Sequence, residues 1–162
     1  MKQTVKQWLI FYLLIAAFII FTNTIVLQLS YVPSKSMEPE IKKGSFLLGS
    51  RWDKNVLNRN DIVTFKYNKR TLVKRIIGLP GEEISIIRGT VYINGKKIEE
   101  PFLAEPMMIT KDLKITVPDD CIFVLGDNRN NSNDSRVIGC IKKENIQAKV
   151  RYEISPRIRK IH

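Results

Sequence analysis

The sequence predicts a mainly β domain that is preceded by one N-terminal transmembrane helix. After residue 30 the chain consists of short apolar or alternating runs separated by Gly, Pro, Asn and Asp, as is typical of strands joined by turns. Between two of these runs, Asn94-Gly95 predicts a two-residue hairpin turn, because both positions of a type I′ turn need positive φ. The helix is indicated by the absence of charge between Lys6 and Lys35.

The candidate strands cover most of the chain after residue 45. They are residues 46–48, 62–67, 71–77, 83–87, 90–93, 113–117, 121–125, 138–141 and 148–154. Helix is nearly absent from this part, apart from a candidate turn at residues 142–146. The segment 99–112 contains two prolines and two methionines, and we expect it to form a loop or a small cap.

The uncharged N-terminal stretch is long enough to form a membrane anchor. As a helix, residues 8–29 would span about 33 Å, against a hydrocarbon core of about 30 Å. The alternative is a cleaved secretory signal, but residues 27–31 offer bulky side chains where cleavage needs small ones. We therefore expect an anchor at residues 1–30 and a separate domain at residues 31–162. Because Lys2 and Lys6 precede the anchor, the chain is expected to be a single-pass protein of the cell membrane with that domain outside the cytoplasm.

The net charge of +11 is compatible with nucleic acid, an anionic membrane or a solvated basic surface. An extracytoplasmic domain would not meet nucleic acid, so we expect no nucleic-acid partner. Membrane lipids with anionic head groups are the partner that fits both the charge and the location.

Metal chemistry has no support in the sequence. The one histidine is the last residue, His162, and the two cysteines are Cys121 and Cys140, so we expect no metal site. The two cysteines flank a turn-rich loop, and free thiols are favoured over a disulfide between them.

A candidate nucleophile lies directly after the anchor, in the segment Ser34-Lys35-Ser36-Met37-Glu38-Pro39. An ordinary turn has the same composition. A nucleophilic serine needs a base, and with the one histidine in the tail a lysine is the remaining candidate.

Lys74 is the candidate base. A strand period of two places it on one face between Leu72 and Ile76, and such burial would lower its pKa towards neutrality. The alternative is a solvated Lys74-Arg75 pair on an edge strand.

A polar loop, residues 126–136, follows the apolar run that ends at Leu125. A solvated loop could have this composition. It could also be a rigid support for a site, in which Asp134 pairs with Arg136 and Ser132 hydrogen-bonds a catalytic group.

Four sequence blocks in order resemble those of the bacterial type I signal peptidases, in their short, single-anchor, Gram-positive form. The blocks are residues 32–39 (VPSKSMEP), 60–63 (NDIV), 72–81 (LVKRIIGLPG) and 126–136 (GDNRNNSNDSR). The resemblance implies an antiparallel, coiled β-sheet catalytic domain of the signal peptidase type. It also implies these roles: Ser36 as nucleophile, Lys74 as general base, Ser34 as oxyanion-hole hydroxyl, Ser132 as the partner that orients the lysine, and Asp134 with Arg136 as a structural pair.

The function implied by the resemblance is that of a membrane-bound serine endopeptidase. Such an enzyme removes signal peptides from exported preproteins with small residues at −1 and −3, through an acyl-enzyme. The resemblance implies no cofactor. One alternative is a non-catalytic assembly factor for pilins or other exported proteins, although relatives of that kind lack the serine or the lysine. Another is a self-cleaving Ser-Lys repressor-type peptidase, which would need a DNA-binding segment where the anchor stands.

Two residues depart from the family pattern near the candidate nucleophile. The family usually has Thr and Asp where this chain has Glu40 and Ser45. Our hypothesis is that Glu40 lies at the rim of the active-site cleft, where its charge would raise the pKa of Lys74.

Overall fold

The computed structural model describes residues 5–21, 26–108 and 111–161. Helix α1 (Val5–Phe21) comes first, and a one-turn helix, α2 (Ser135–Ile138), lies late in the chain. The described strands are β1 (Leu27–Tyr31), β2 (Phe46–Ser50), β3 (Ile62–Tyr67), β4 (Arg70–Gly78), β5 (Glu83–Ile87), β6 (Thr90–Ile93), β7 (Lys96–Lys97), β8 (Leu113–Thr116), β9 (Cys121–Leu125), β10 (Ile141–Lys142), β11 (Ile146–Ser155) and β12 (Arg157–Lys160). The predicted mainly β class is therefore confirmed.

The larger of two sheets has the order β1-β2-β11-β3-β4-β9-β10, and its neighbouring strands are antiparallel. Strand β11 is long enough to have three partners. It pairs with β2 along one edge, and with β3 and then β12 along the other. A register shift within β11 accompanies the change of partner, as expected where a strand bends.

The smaller sheet has the order β7-β6-β5-β8. Its hairpin confirms the predicted turn, because Asn94 and Gly95 have φ of 50° and 75° and join the paired strands β6 and β7. An apolar cluster fills the space between this sheet and β9, with Ile84 and Phe123 fully buried in it. The smaller sheet thus packs on the same strand that leads into the polar loop 126–136.

A second apolar cluster lies under the segment that joins β1 to β2. Met37 and Ile41 from that segment pack there with Val73 of β4 and with Ile161 at the end of the chain. Burying side chains of this size stabilises a fold by about 1.5–3 kcal/mol each, so the segment is fixed although it contains no strand.

The predicted N-terminal helix ends earlier than the sequence indicated. The predicted helix over residues 8–29 is wrong at its C-terminal end, because Leu27–Tyr31 forms β1 and pairs with β2. The strand alternates, with Gln28 buried and Leu29 exposed, so it belongs to the β domain. Within the described residues, no helix has the length and apolar character needed to cross a membrane. Lys2 and the polar residues 22–24 lie outside the described residues.

The predicted strand over residues 138–141 is also wrong in part. Asp134 caps α2 by accepting a hydrogen bond from the Arg136 backbone N–H, and the helix ends at Gly139, which has a φ of 79°. The short strand β10 begins only at Ile141. The predicted turn at residues 142–146 is present as the 3₁₀ turn Lys143–Asn145.

The segment 99–112 has no helix or strand among its described residues. It is attached to the polar loop 126–136 by side-chain contacts. Glu100 pairs with Arg129, and Asn130 donates to Glu105 and accepts from the Met108 backbone N–H. The segment is therefore a loop that braces the polar loop from outside.

Candidate active site

The structure brings Ser36 and Lys74 together. Ser36 lies in the segment between β1 and β2, and Lys74 lies in the middle of β4. Lys74 Nζ donates to Ser36 Oγ at 2.8 Å and to the Val73 carbonyl oxygen at 2.8 Å. Both residues are buried, with exposed fractions of 8% for Ser36 and 3% for Lys74. A serine hydroxyl and a lysine amine in direct contact can act as nucleophile and base.

The surroundings of Lys74 favour its neutral form. Burial lowers its pKa to about 8 from an ordinary value of 10.5, while the charges of Asp134 and Asp127 act in the opposite direction. Ile76, on the same face of β4, is fully buried, and Leu72 packs partly buried in the same apolar cluster. The alternative of a solvated lysine on an edge strand is therefore excluded.

Ser34 lies on the open side of the site. Its hydroxyl oxygen is 3.3 Å from Ser36 Oγ, and the residue is exposed. On the enclosed side, the Asn128 backbone N–H donates to the Ser36 carbonyl oxygen at 3.1 Å. The Ser34 hydroxyl thus lies beside Ser36 Oγ at the exposed side of the site, and its role in an oxyanion hole stays a prediction.

Asp134 and Arg136 form a bidentate ion pair in the polar loop, with nitrogen–oxygen distances of 2.8 Å. Burial would raise the pKa of Asp134, but Arg136 and the Gly126 backbone N–H hold that pKa below its usual value. Arg136 also donates to the Arg129 carbonyl oxygen at 2.7 Å. Because a single arginine joins three points of the loop, the loop is rigid.

Ser132 lies close to the Ser36 segment, because a Cβ at Gly126 would touch both the Ser132 hydroxyl and the Ser36 carbonyl oxygen. Its hydroxyl is enclosed beside the Asp134 carboxylate and against Gly126, and it helps to hold the pKa of Asp134 below its usual value. Lys74 Nζ makes its hydrogen bonds to Ser36 and Val73, and none to Ser132. The role of Ser132 as the partner that orients the lysine therefore stays a prediction.

A buried ion pair next to the site was not predicted. Arg75 donates to both carboxylate oxygens of Asp127, at 2.8 and 2.7 Å, and the Phe102 ring lies 4.2 Å from the guanidinium. The signal was present in the alternation of β4, which sends Arg75 to the face opposite Lys74. The ion pair could not be predicted from this alternation alone, because the sequence does not show that Asp127 lies beside Arg75.

The hypothesis about Glu40 is not supported by its surroundings. Its carboxylate is paired with Arg159 at 2.7 Å, and the carboxylates that act on the Lys74 pKa are those of Asp134 and Asp127. His162 lies outside the described residues.

Among the described residues, no group of His, Cys, Asp or Glu could hold a metal ion. The two cysteines, Cys121 and Cys140, are free thiols.

Comparisons with known proteins agree with the geometry. The sequence model of the family described as signal peptidase, peptidase S26, matches residues 5–154. The chain is 40% identical to a probable signal peptidase I-2 of Synechocystis, over 84% of this chain and 67% of the relative. It is 38% identical to signal peptidase I of Bacillus caldolyticus, over 77% of this chain and 78% of the relative.

A solved structure gives the same result. The crystal structure of a signal peptidase I from Enterococcus faecalis aligns with a TM-score of 0.52 at 35% identity, covering 57% of this chain and 95% of that one. The chain therefore belongs to the signal peptidase family, peptidase S26, as a serine peptidase of the bacterial type I group.

Proposed function

We propose that this chain removes N-terminal signal peptides from exported preproteins as a membrane-attached endopeptidase that uses Ser36 and Lys74. The observation that carries the proposal is the 2.8 Å contact between Lys74 Nζ and Ser36 Oγ in a buried setting. Family membership supports the substrate class, because the named relatives are signal peptidases. Retention of both the serine and the lysine argues against a non-catalytic assembly factor.

The mechanism follows from the protonation state of the lysine. Neutral Lys74 accepts the Ser36 hydroxyl proton as Ser36 Oγ attacks the carbonyl carbon of the last residue of the signal sequence. The Ser34 hydroxyl and the Ser36 backbone N–H stabilise the oxyanion. The protonated lysine then gives its proton to the leaving amine, and the bond to the mature protein breaks. Lys74, neutral again, activates the water that hydrolyses the acyl-enzyme.

The substrate is an extended peptide with small residues at −1 and −3. Such a peptide is bound by backbone hydrogen bonds to the edge of a sheet, with alternate side chains in shallow pockets. The position of Ser36 supports this mode, because it follows β1, an end strand of the larger sheet among the described strands.

Membrane attachment is proposed for the segment that precedes β1. Supporting this, α1 contains a long apolar run, and no residue of α1 is buried against the β domain. An exposed apolar surface of this kind marks a site of membrane or protein contact, and family membership favours the membrane.

The test is cleavage of a preprotein by the purified, detergent-solubilised chain. The parent should release the mature protein after a small residue. Ser36→Ala and Lys74→Ala should each lower the rate by at least about 1,000-fold, because neither role has a substitute nearby. Lys66→Ala, an exposed lysine on β3, is the matched control and should retain the parent rate. Full activity in either dyad variant would contradict the proposal.

A further inference from the structure

A cluster of polar side chains ties the Ser36 segment to the end of the chain. Arg159 of β12 pairs with the Glu40 carboxylate at 2.7 Å and also donates to the Glu40 carbonyl oxygen. The same guanidinium pairs with Glu153 of β11 at 2.7 Å. One arginine therefore joins a residue four positions after Ser36 to two strands of the larger sheet.

Glu153 makes a second connection to the same segment. Its Oε1 accepts hydrogen bonds from Ser45 Oγ at 2.6 Å and from the Lys42 backbone N–H at 3.0 Å. The residue is only 4% exposed. Ser45 and Glu40, which differ from the usual residues of the family, both belong to this one cluster.

An apolar contact supports the polar one. Ile161, directly after β12, is buried with Met37 and Ile41, and its backbone N–H donates to the Arg151 carbonyl oxygen at 2.9 Å. Residues 159–161 therefore contact the Ser36 segment in two ways, through the polar contacts of Arg159 and through the apolar packing of Ile161.

The two partners of the active-site contact are held in different ways. Lys74 is fixed by β4, which has a strand on each side. Ser36 lies in a segment without strands, and its position depends on contacts made by the segment. One is the hydrogen bond from the Asn128 backbone N–H. Others are the packing of Met37 and Ile41 in the apolar cluster and, after the turn that joins these two residues, the polar contacts to Arg159 and Glu153.

We propose that Arg159 and Glu153 are positioning residues that hold Ser36 at bonding distance from Lys74. This inference rests on the proposed function. Neither residue touches the reacting atoms, and both act through residues 40–45. A misplacement of about 1 Å can lower a catalytic rate by as much as 100-fold. Loss of these contacts should therefore lower the rate of the chemical step. The substrate binding proposed above uses the sheet edge at β1 and no side chain of this cluster, so KM should change little.

The experiment compares full-length variants on one preprotein substrate. Arg159→Ala and Glu153→Gln should lower kcat by about 5- to 50-fold and change KM by less than about twofold. Arg159→Lys keeps the positive charge but loses the planar guanidinium that contacts Glu40 and Glu153 together, so its fall in kcat should be intermediate. Arg157→Lys, an exposed position on the same strand, is the matched control and should behave as the parent.

A rescue separates positioning from general destabilisation. Glu153→Ala removes the side chain, and adding Ser45→Asp brings a carboxylate towards the position where Glu153 Oε1 now accepts its hydrogen bonds. This double variant should recover part of the kcat that Glu153→Ala loses. Unchanged kcat in Arg159→Ala and Arg159→Lys, a change confined to KM, or a double variant no better than Glu153→Ala would overturn the proposal.

Hydrogen exchange provides a readout that does not need activity. In Arg159→Lys and Arg159→Ala, the backbone amides of residues 38–45 should exchange faster than in the parent, whereas those of β9 should not. If the parent cleaves no preprotein, the proposed function fails while the exchange data still test the positioning. If the parent cleaves and exchange in residues 38–45 is unchanged, the positioning proposal fails alone.

Discussion

At the scale of the residue, the main feature is a lysine buried with a depressed pKa. The folded protein binds the Lys74 proton with a pKa of about 8, whereas the unfolded chain binds it with the ordinary value of 10.5. The folded state therefore carries fewer protons between these two values. By linkage, the cost of Lys74 to stability is fully present below pH 8 and is relieved as the pH rises towards 10.5.

The first prediction is that Lys74→Met removes this cost together with the activity. Below pH 8 the variant should gain up to about 3 kcal/mol over the parent, reduced by the loss of two lysine hydrogen bonds. The gain should shrink between pH 8 and 10.5. Denaturant unfolding of both proteins at several pH values measures it.

Lys149 provides the control for this prediction. It is also buried, but it is paired with Asp61 at 2.6 Å. Lys149→Met should therefore destabilise the protein, because it leaves a carboxylate without its partner. A stability difference between Lys74→Met and the parent that does not change with pH would contradict the assigned pKa.

The burial of a single side chain could be predicted from the sequence where it depends on the alternation of one strand. The period of two placed Lys74 between Leu72 and Ile76, and this placement identifies the lysine as buried. The environment of Ser132 was not predictable in this way. Its hydroxyl faces Gly126 and Asp134 because the loop 126–136 folds back on itself. No periodicity or turn signal in the sequence predicts that conformation.

At the scale of the element, the polar loop is placed by close contact with the Ser36 segment. A Cβ at Gly126 would lie 2.5 Å from the Ser36 carbonyl oxygen and would overlap Ser132. Side chains can yield to such a contact, but a backbone carbonyl held by the Asn128 N–H cannot do so without moving Ser36.

The second prediction follows from this contact. Gly126→Ala should lower preprotein cleavage by at least about 10-fold and destabilise the fold by about 1–3 kcal/mol. Adding Ser132→Gly removes the side-chain overlap and leaves the carbonyl contact, so it should restore part of the stability but little of the activity. Thermal unfolding and cleavage rates measure the two effects, and full activity in Gly126→Ala would show that the contact is not essential.

Strands and hairpins were predicted well where neighbouring residues in the sequence define the turns that bound them. Asn94-Gly95 indicated its hairpin, and most strands between residues 62 and 125 have the predicted bounds. Strands β1 and β12 were missed for a different reason. Leu27–Tyr31 continues an apolar run, and Arg157–Lys160 is too charged to suggest a strand, so each is defined by its pairing with a distant partner.

At the scale of the whole molecule, the β domain buries its apolar side chains, whereas helix α1 leaves its own exposed. The helix presents its apolar side chains outward, and the chain as a whole carries a net charge of +11. An anionic membrane surface suits both features.

The third prediction concerns the location of the domain. The chain should stay in the membrane fraction after alkaline carbonate extraction, and protease added to spheroplasts should digest the β domain. A chain deleted for residues 1–21 should lose membrane retention. If the domain survives protease while another external protein is digested, the proposed orientation is wrong.

The most direct test of the Ser36–Lys74 mechanism is the pH dependence of kcat/KM for preprotein cleavage. The account predicts a rising limb with a midpoint near pH 8, where the buried lysine loses its proton in the free enzyme. Glu40→Thr should leave the midpoint unchanged, because Arg159 already pairs with that carboxylate. A rate independent of pH between 6 and 9.5, or a midpoint near 10.5 that marks an unperturbed lysine, would contradict the claim that neutral Lys74 is the base.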